Sequence, residues 1–187
     1  MNSSPLRIGI AGAGFAGKFH HKNLRGLPAV TAGVTSSRKE SREAFAREFG
    51  TAAYASVEEM LPHIDVLDIC TPPSSHAAYI RSAAKAGKHI IVEKPFHGFF
   101  GSPEQYSKEE MLASVTEELR GIRQTVDEAG VILGYAENYI YAPSIQRERE
   151  IIETTKAQIL RMTAEESHSG SHSPVYGIWS EQGGGSL

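Results

Sequence analysis

The sequence predicts an α/β fold whose main unit is a doubly wound parallel sheet covered by helices on both faces. Six short apolar segments alternate with segments of helical periodicity between Leu6 and Tyr135. Such strands need crossover connections, and the crossover helices cover both faces of the sheet. A glycine-rich turn after the first strand supports the same class. The alternation stops after Ala136, so we expect two units, 1–136 and 137–187, the second of them incomplete.

Composition and charge exclude several classes of protein. The 187 residues carry 19 basic and 22 acidic side chains, and the cations are scattered, so the basic surface of a nucleic-acid or membrane binder is missing. The single cysteine, Cys70, cannot form an internal disulfide. We therefore expect a cytoplasmic protein that acts on a small neutral or anionic metabolite, with neither nucleic acid nor membrane as a partner.

The strands are predicted from short apolar runs bounded by glycine, proline or charged residues. The fourth run is apolar throughout except for Asp68. The predicted strands of the first unit are Leu6–Ala11, Val30–Val34, Ala52–Tyr54, Val66–Cys70, His89–Val92 and Val131–Tyr135.

The helices are predicted where apolar residues recur every three or four positions and capping residues mark the ends. The longest follows Ser107, which forms a capping box with Glu110, and its pattern continues to Gly130. Ser56 and Glu59 form a similar box before a brief helix. The other predicted helices begin at Phe15, Lys39, His76 and Pro143 and end near Gly26, Phe49, Ala86 and Thr155, and a strand is predicted over Gln158–Glu166.

Gly12, Gly14 and Gly17 form a G-x-G-x-x-G pattern directly between a strand and a helix. The first glycine permits a tight turn, the second lets backbone N–H groups approach a pyrophosphate, and the third lets helix and strand pack closely. The helix N-terminus, with Phe15 and Ala16, then faces the anion. The pattern predicts a dinucleotide site. The alternatives are glycines that only serve a turn, or a methyltransferase that binds S-adenosylmethionine.

The end of the second predicted strand indicates which dinucleotide binds. A carboxylate about 20 residues after the glycine loop commonly holds the ribose hydroxyls of NAD. Here the chain reads Thr35, Ser36, Ser37 and Arg38, and hydroxyls followed by a guanidinium suit a 2′-phosphate. We expect NADP to be preferred, with NAD as the alternative cofactor, unless these residues simply begin a solvated loop.

Several further motifs extend over nearly the whole chain. They are the 70–76 turn with the sequence CTPPSSH, the run Ala86–Phe96, the pair Glu137-Asn138, and the end Gly183–Leu187. Together with the glycine loop they resemble the glucose-fructose oxidoreductase, inositol dehydrogenase and MocA (Gfo/Idh/MocA) family of NAD(P)-dependent oxidoreductases. The resemblance implies a Rossmann domain followed by a second α/β domain with substrate and oligomer contacts. It also implies hydride transfer to or from a sugar, polyol or related substrate, and a homo-oligomer for the full-length protein.

The resemblance assigns the central role to Lys94, in the sequence Glu93-Lys94-Pro95. Lys94 resembles the family's active-site lysine, which lies beside the nicotinamide and the reacting oxygen. A cation or proton donor there stabilises negative charge that develops on the oxygen. Pro95 resembles a position that is often a cis-proline, and the bond would aim Lys94 into the cleft.

The resemblance also assigns residues at the turns on either side. Thr71, Pro72 and His76 resemble the turn that borders the cofactor, although His76 equally fits a helix-start residue bonded to the backbone. Asn138 resembles a residue near the nicotinamide, with a hinge between domains as the alternative.

The chain departs from the family's pattern in two places. His97–Tyr106 inserts an aromatic loop bounded by glycines, which we interpret as a lid or a subunit contact. The acid/base segment of the family is absent after Leu187, so a C-terminally truncated chain should bind cofactor without useful turnover. A non-catalytic NADP-binding module or sensor is the alternative. No metal site is expected, because His168 and His172 lie among glycine and serine residues typical of a loop.

Overall fold

The computed structural model describes residues 4–165 and 178–183. Its strands are β1 (Leu6–Ala11), β2 (Ala29–Thr35), β3 (Ala52–Tyr54), β4 (Val66–Ile69), β5 (His89–Val92) and β6 (Leu133–Tyr135). They form one sheet in the order β3-β2-β1-β4-β5-β6, and every neighbouring pair is parallel. The predicted doubly wound sheet is confirmed. The strand order reverses between β1 and β4, which is where ligands bind in sheets of this kind.

The described helices are α1 (Phe15–Asn23), α2 (Lys39–Phe49), α3 (Val57–Met60), α4 (His76–Lys85), α5 (Lys108–Ala129), α6 (Pro143–Thr155) and α7 (Trp179–Gln182). Six of them lie at the predicted places, and the seventh, α7, was not predicted. Short 3₁₀ turns cover Leu61–His63, Pro73–Ser75, Pro103–Gln105 and Asn138–Tyr141. Among these described helices, none combines the length and apolar composition that crossing a membrane requires.

Capping explains where α5 and α3 begin. The Ser107 hydroxyl accepts the Glu110 N–H at 3.2 Å, and the Glu110 carboxylate accepts the Ser107 N–H at 2.8 Å, which is the predicted reciprocal box. Before α3 the box is altered. Ser56 accepts the Glu59 N–H, but the Glu59 carboxylate accepts the N–H of Ala55 instead of that of Ser56.

Two apolar layers enclose the sheet. On one face Phe45 of α2 packs with Ile10 of β1, and on the other Ile80 of α4 packs with Leu67 of β4. Side chains alternate between faces along a strand. Val66 of β4 accordingly lies in the layer of α1 and α2, whereas Leu67 lies in the layer of α3, α4 and α5.

Helix α1 approaches β1 very closely at the glycine loop. A Cβ added to Gly17 would collide with the carbonyl oxygen of Gly12 and lie 3.0 Å from Cγ2 of Ile10. Gly12 has a φ of 114°, and a Cβ there would lie 2.5 Å from the carbonyl oxygen of Cys70. Gly14 is different, since no described atom lies within 4 Å of a Cβ built on it. The tight turn predicted at Gly12 and the close packing predicted at Gly17 are present, and the role of Gly14 toward a pyrophosphate stays a prediction.

The predicted strand over Gln158–Glu166 is wrong for its described part. Residues 158–165 form no strand, and the side chain of Leu160 is 89% exposed. A strand needs the edge of a neighbouring strand. None of the described strands pairs with residues 158–165. The division into units 1–136 and 137–187 stays a prediction.

The inserted loop His97–Tyr106 packs on a later part of the chain. The N–H of Phe99 donates to the carbonyl oxygen of Gly183 at 3.1 Å, and a Cβ on Gly98 would collide with that same oxygen. The ring of Phe99 contacts that of Tyr106, with centroids 5.1 Å apart. The loop is thus attached to segment 178–183, and its role as a lid or a subunit contact stays a prediction.

The close approach at Gly17 yields a stability prediction. Gly17→Ala should lower the free energy of unfolding by about 3 kcal/mol, because the new methyl group meets a backbone carbonyl. Gly14→Ala is the matched control, with open space and an ordinary φ of −84°. It should cost less than about 1 kcal/mol. Urea unfolding followed by circular dichroism measures both, and equal losses would contradict the proposed packing role.

Candidate active site

A groove of about 330 Å³ runs along the carboxyl ends of β1, β2 and β4. The glycine loop lies on one side, and the predicted phosphate-binding residues after β2 lie on another. The lining residues are Gly12, Ala13, Gly14, Thr35, Ser36, Ser37, Arg38, Cys70, Thr71, Pro72, Ser75 and Tyr79.

The start of α1 offers uncompensated N–H groups at this groove. Gly14 is the N-cap residue, no described side chain caps the helix, and its first turn contains no acidic residue. The first N–H groups of a helix have no partners within it, so an anion can accept from them. Phe15 and Ala16 form this first turn, and the side chain of Phe15 is 87% exposed. The absent Cβ at Gly14 leaves room for the anion to approach.

Sequence reasoning missed a second guanidinium at the end of β2. Nη1 of Arg42 donates to the carbonyl oxygen of Ser36 at 3.1 Å, which fixes the turn that carries Ser36, Ser37 and Arg38. Arg38 is the N-cap residue of α2, and Arg42 follows four residues later, at the end of the first turn of the helix. The occurrence of Arg42 four residues after Arg38 was the sequence feature that could have indicated this second guanidinium.

A second cavity, of about 260 Å³, lies beyond the carboxyl end of β5. It brings together Glu93, Lys94 and Asn138, which are separated in the sequence. The Lys94–Pro95 peptide bond is cis. The remaining lining residues are Phe19, His20, Ala136, Glu137 and Tyr141.

Some predicted residues lie elsewhere. His76 lines neither cavity and is fully buried, with Nε2 2.8 Å from the carbonyl oxygen of Thr71 and Nδ1 3.3 Å from that of Phe96. These contacts fit the interpretation of His76 as a helix-start residue bonded to the backbone, and its place beside the cofactor stays a prediction. His76 is the first residue of α4, and its contact with the Thr71 carbonyl oxygen supports the turn after β4. His168 and His172 lie outside the described residues.

Sequence reasoning also missed a charged cluster between α1 and the sheet. Nδ1 of His20 lies 2.9 Å from Oδ2 of Asp68, and Nε2 lies 2.9 Å from Oε1 of Glu93. Asp68 is 2% exposed. Oε2 of Glu93 accepts the backbone N–H of Lys94 at 2.9 Å. The cluster therefore connects a buried strand to the residue after Glu93.

The alternation of side chains explains why these groups meet. Val66 and Cys70 belong to the layer of α1, so Asp68 between them faces α1 as well. Ile91 of β5 belongs to the same layer, and Glu93 is two residues further on. His20 lies three residues after Gly17, the buried residue of α1. Asp68 is the only charged residue of the apolar strand β4, and a buried carboxylate needs a compensating partner. Its position in the sequence was therefore a sign that such a partner exists.

The cluster shifts the acidity of its members. Hydrogen bonds to Asp68, then to Cys70 and Glu93, raise the pKa of His20 to about 12. Burial alone would raise the pKa of Glu93, but hydrogen bonds from His20 and the Lys94 N–H leave it lower than usual. Burial raises the pKa of the Cys70 thiol to about 12.

The same groups include atom types that bind metals. His20, Asp68 and Cys70 place one such atom each within 4.8 Å of one another. A metal needs deprotonated imidazole and thiolate ligands. In this structure Nδ1 of His20 lies 2.9 Å from Oδ2 of Asp68, which is a hydrogen-bond distance.

The sheet order, the uncapped glycine-rich helix start and the groove define a Rossmann-type dinucleotide-binding protein. Residues 6–133 match the profile of the Gfo/Idh/MocA proteins, described as an oxidoreductase family with an NAD-binding Rossmann fold. The chain belongs to this family, and the resemblance seen in its motifs is confirmed.

Several relatives of the chain are dehydrogenases named for sugar compounds. Levoglucosan dehydrogenase of Pseudarthrobacter phenanthrenivorans is 30% identical over 161 residues, which cover 79% of this chain and 37% of that protein. D-glucoside 3-dehydrogenase of Escherichia coli is 28% identical over 197 residues, covering 100% of this chain and 51% of that protein. The solved structure of UDP-N-acetylglucosamine 3-dehydrogenase from Acidithiobacillus ferrooxidans has a TM-score of 0.65 and 28% identity, covering 78% of this chain and 42% of that one. The chain thus spans about half or less of their lengths.

The raised pKa of His20 predicts a pH dependence of stability. The ordinary value is 6.5 and the folded value about 12, so the stabilisation is complete below pH 6.5 and is lost as the pH rises toward 12. Between pH 7 and pH 9 the wild type should lose up to about 1.4 kcal/mol per pH unit more than His20→Gln. Denaturant unfolding at three pH values gives both slopes. Identical slopes would show that His20 is not held as a cation.

Proposed function

We propose that this chain binds NADP in the groove and that the protein is an NADP-preferring oxidoreductase. Its substrate would be a CH–OH group, or the corresponding carbonyl, of a sugar, polyol or related compound. One observation carries the cofactor assignment. The glycine loop shares its groove with Ser36, Ser37 and Arg38, and none of the described lining residues is a carboxylate.

Each part of the groove suits one part of the cofactor. The N–H groups at the start of α1, from Gly14 onward, would hold the pyrophosphate. The hydroxyls of Ser36 and Ser37 and the guanidinium of Arg38 would hold the 2′-phosphate, because Arg matches phosphate oxygens in a bidentate way. Without a carboxylate at this position, the phosphate meets no like charge. The nicotinamide of the bound cofactor supplies or accepts the hydride.

The second cavity suits the reacting substrate. Lys94 is exposed there, so its ammonium can donate to the substrate oxygen and stabilise the negative charge that develops on it. The same group can exchange the hydroxyl proton. Asn138 lines the same cavity, where its amide can orient the substrate by donating and accepting hydrogen bonds.

The relatives support the substrate class. Levoglucosan, D-glucosides and UDP-N-acetylglucosamine, which their names specify, all contain a sugar ring with CH–OH groups. Since this chain spans about half or less of those proteins, the activity of the whole protein belongs to the proposal. The homo-oligomer stays a prediction from the family resemblance.

Arg38 provides the test of cofactor preference. NADPH should bind the chain at least about tenfold more tightly than NADH, because only NADPH carries the 2′-phosphate. Arg38→Ala should remove most of this difference and leave the affinity for NADH nearly unchanged. Fluorescence titration measures both affinities. Arg47→Ala, in the last turn of the same helix, is the control and should change neither. Equal wild-type affinities for NADPH and NADH would refute the preference.

Lys94 provides the test of the reaction. In the whole protein, Lys94→Ala should lower kcat/KM by about 10²–10⁴-fold, because it removes the group proposed to stabilise and protonate the oxygen. The dissociation constant of NADPH should change by less than about threefold. NADPH oxidation is measured with a panel of aldoses, ketoses and inososes. Lys88→Ala is the control, since Lys88 precedes the opposite end of β5. Turnover that survives in Lys94→Ala would exclude this role.

A further inference from the structure

The backbone at Lys94 is connected to the centre of the sheet by a continuous series of hydrogen bonds. The Lys94 N–H donates to Oε2 of Glu93, whose Oε1 lies 2.9 Å from Nε2 of His20. Nδ1 of His20 lies 3.0 and 2.9 Å from the two oxygens of Asp68. Asp68 is held in β4, between strands on both sides. The series thus begins at a rigid, buried point.

The geometry alone determines how His20 is protonated. An ionised carboxylate can only accept hydrogen bonds, and both ring nitrogens of His20 face carboxylate oxygens. When both carboxylates are ionised, the ring donates from both nitrogens and is an imidazolium. A ring with both nitrogens occupied in this way is not available as a general base. The role of His20 is therefore to hold neighbouring groups in position.

His20 also lies on the helix that begins at the glycine loop. It lies six residues beyond Gly14, the N-cap residue of α1, so the same helix carries its ring and the backbone proposed to hold the pyrophosphate. Through Glu93, the same ring reaches the residue proposed to face the substrate. The His20 side chain therefore connects the proposed pyrophosphate end of the cofactor site to the Lys94 end.

We infer that His20 is a positioning residue for Lys94, whose imidazolium holds the Glu93 carboxylate in the orientation that accepts the Lys94 N–H. The part of this inference that concerns the nicotinamide rests on the proposed function. A purely structural role, in which His20 only compensates the buried Asp68, makes a different prediction. It predicts a general loss of stability with no change confined to the Lys94 end of the site.

The first test is a nuclear magnetic resonance measurement on this chain without any ligand. In the wild type the Lys94 amide proton should resonate downfield, because it is bonded to a carboxylate. His20→Gln should shift this resonance upfield. His21→Gln is the matched control, because His21 is the next residue of the same helix and bonds to Thr31 instead. An unchanged Lys94 resonance in His20→Gln would overturn the inference.

The second test separates the two ends of the cofactor site. His20→Gln should weaken NADPH binding about tenfold, because it releases the Glu93–Lys94 backbone bond that Lys94→Ala leaves in place, and it should leave adenosine 2′,5′-bisphosphate within about twofold. This probe carries the 2′-phosphate but has no nicotinamide. Equal weakening of both would mean a structural role only, and no weakening of either would also overturn the inference. If the wild type binds neither compound, the proposed cofactor is wrong, and the Lys94 resonance still decides the role of His20.

Two further measurements test the inference even if the His20→Gln variant does not fold. The double variant His20→Gln with Asp68→Asn contains no uncompensated buried carboxylate at β4, and it should show the same upfield shift of the Lys94 resonance. The wild type alone provides the other measurement. Both ring N–H protons of His20 should be present in nitrogen-edited spectra at neutral pH. A single ring proton would mean a neutral imidazole and would contradict the arrangement.

Discussion

The close approach of α1 to β1 is the constraint on which the rest of the site depends. Only a glycine at position 17 avoids the carbonyl oxygen of Gly12. Because the helix lies so near the sheet, its unpaired N–H groups open at the carboxyl edge of β1 and β2. The same nearness lets His20, one turn further on, reach a carboxylate that belongs to the sheet. Packing at one backbone contact therefore sets both the anion site and the charged cluster.

The charged cluster shows how a buried carboxylate can organise its surroundings. Asp68 is removed from water, and an unpaired carboxylate there would be very costly. The imidazolium of His20 offsets this cost only in one position between α1, β4 and β5. Stability and site geometry thus depend on the same proton. The pKa of Glu93 is lowered by the same contact, so this carboxylate stays ionised beside Lys94.

The sequence predicted the parts of the fold that depend on neighbouring residues. The capping box at Ser107, the bounds of α2 and the packing roles of Gly12 and Gly17 follow from local spacing, and all are present. The cluster could not be derived in this way. His20 and Glu93 meet because β1, β4 and β5 are neighbours in the sheet, and local spacing does not reveal that order. The motif around His76 indicated its place along the chain but not its depth. The absence of a strand at 158–165 likewise depends on whether a partner edge lies nearby.

The separation of the cluster's members along the chain has a consequence for folding. His20 lies 48 residues from Asp68 and 73 from Glu93, so neither contact exists until β1 has paired with β4 and β4 with β5. Such distant pairings form late, because a large loop must close before they are stabilised. A partly folded chain with β1, α1 and β2 would contain the whole glycine loop but none of the groups around Lys94. A nucleotide that needs both ends would bind only the finished sheet, and by mass action it would draw newly made chains toward that state.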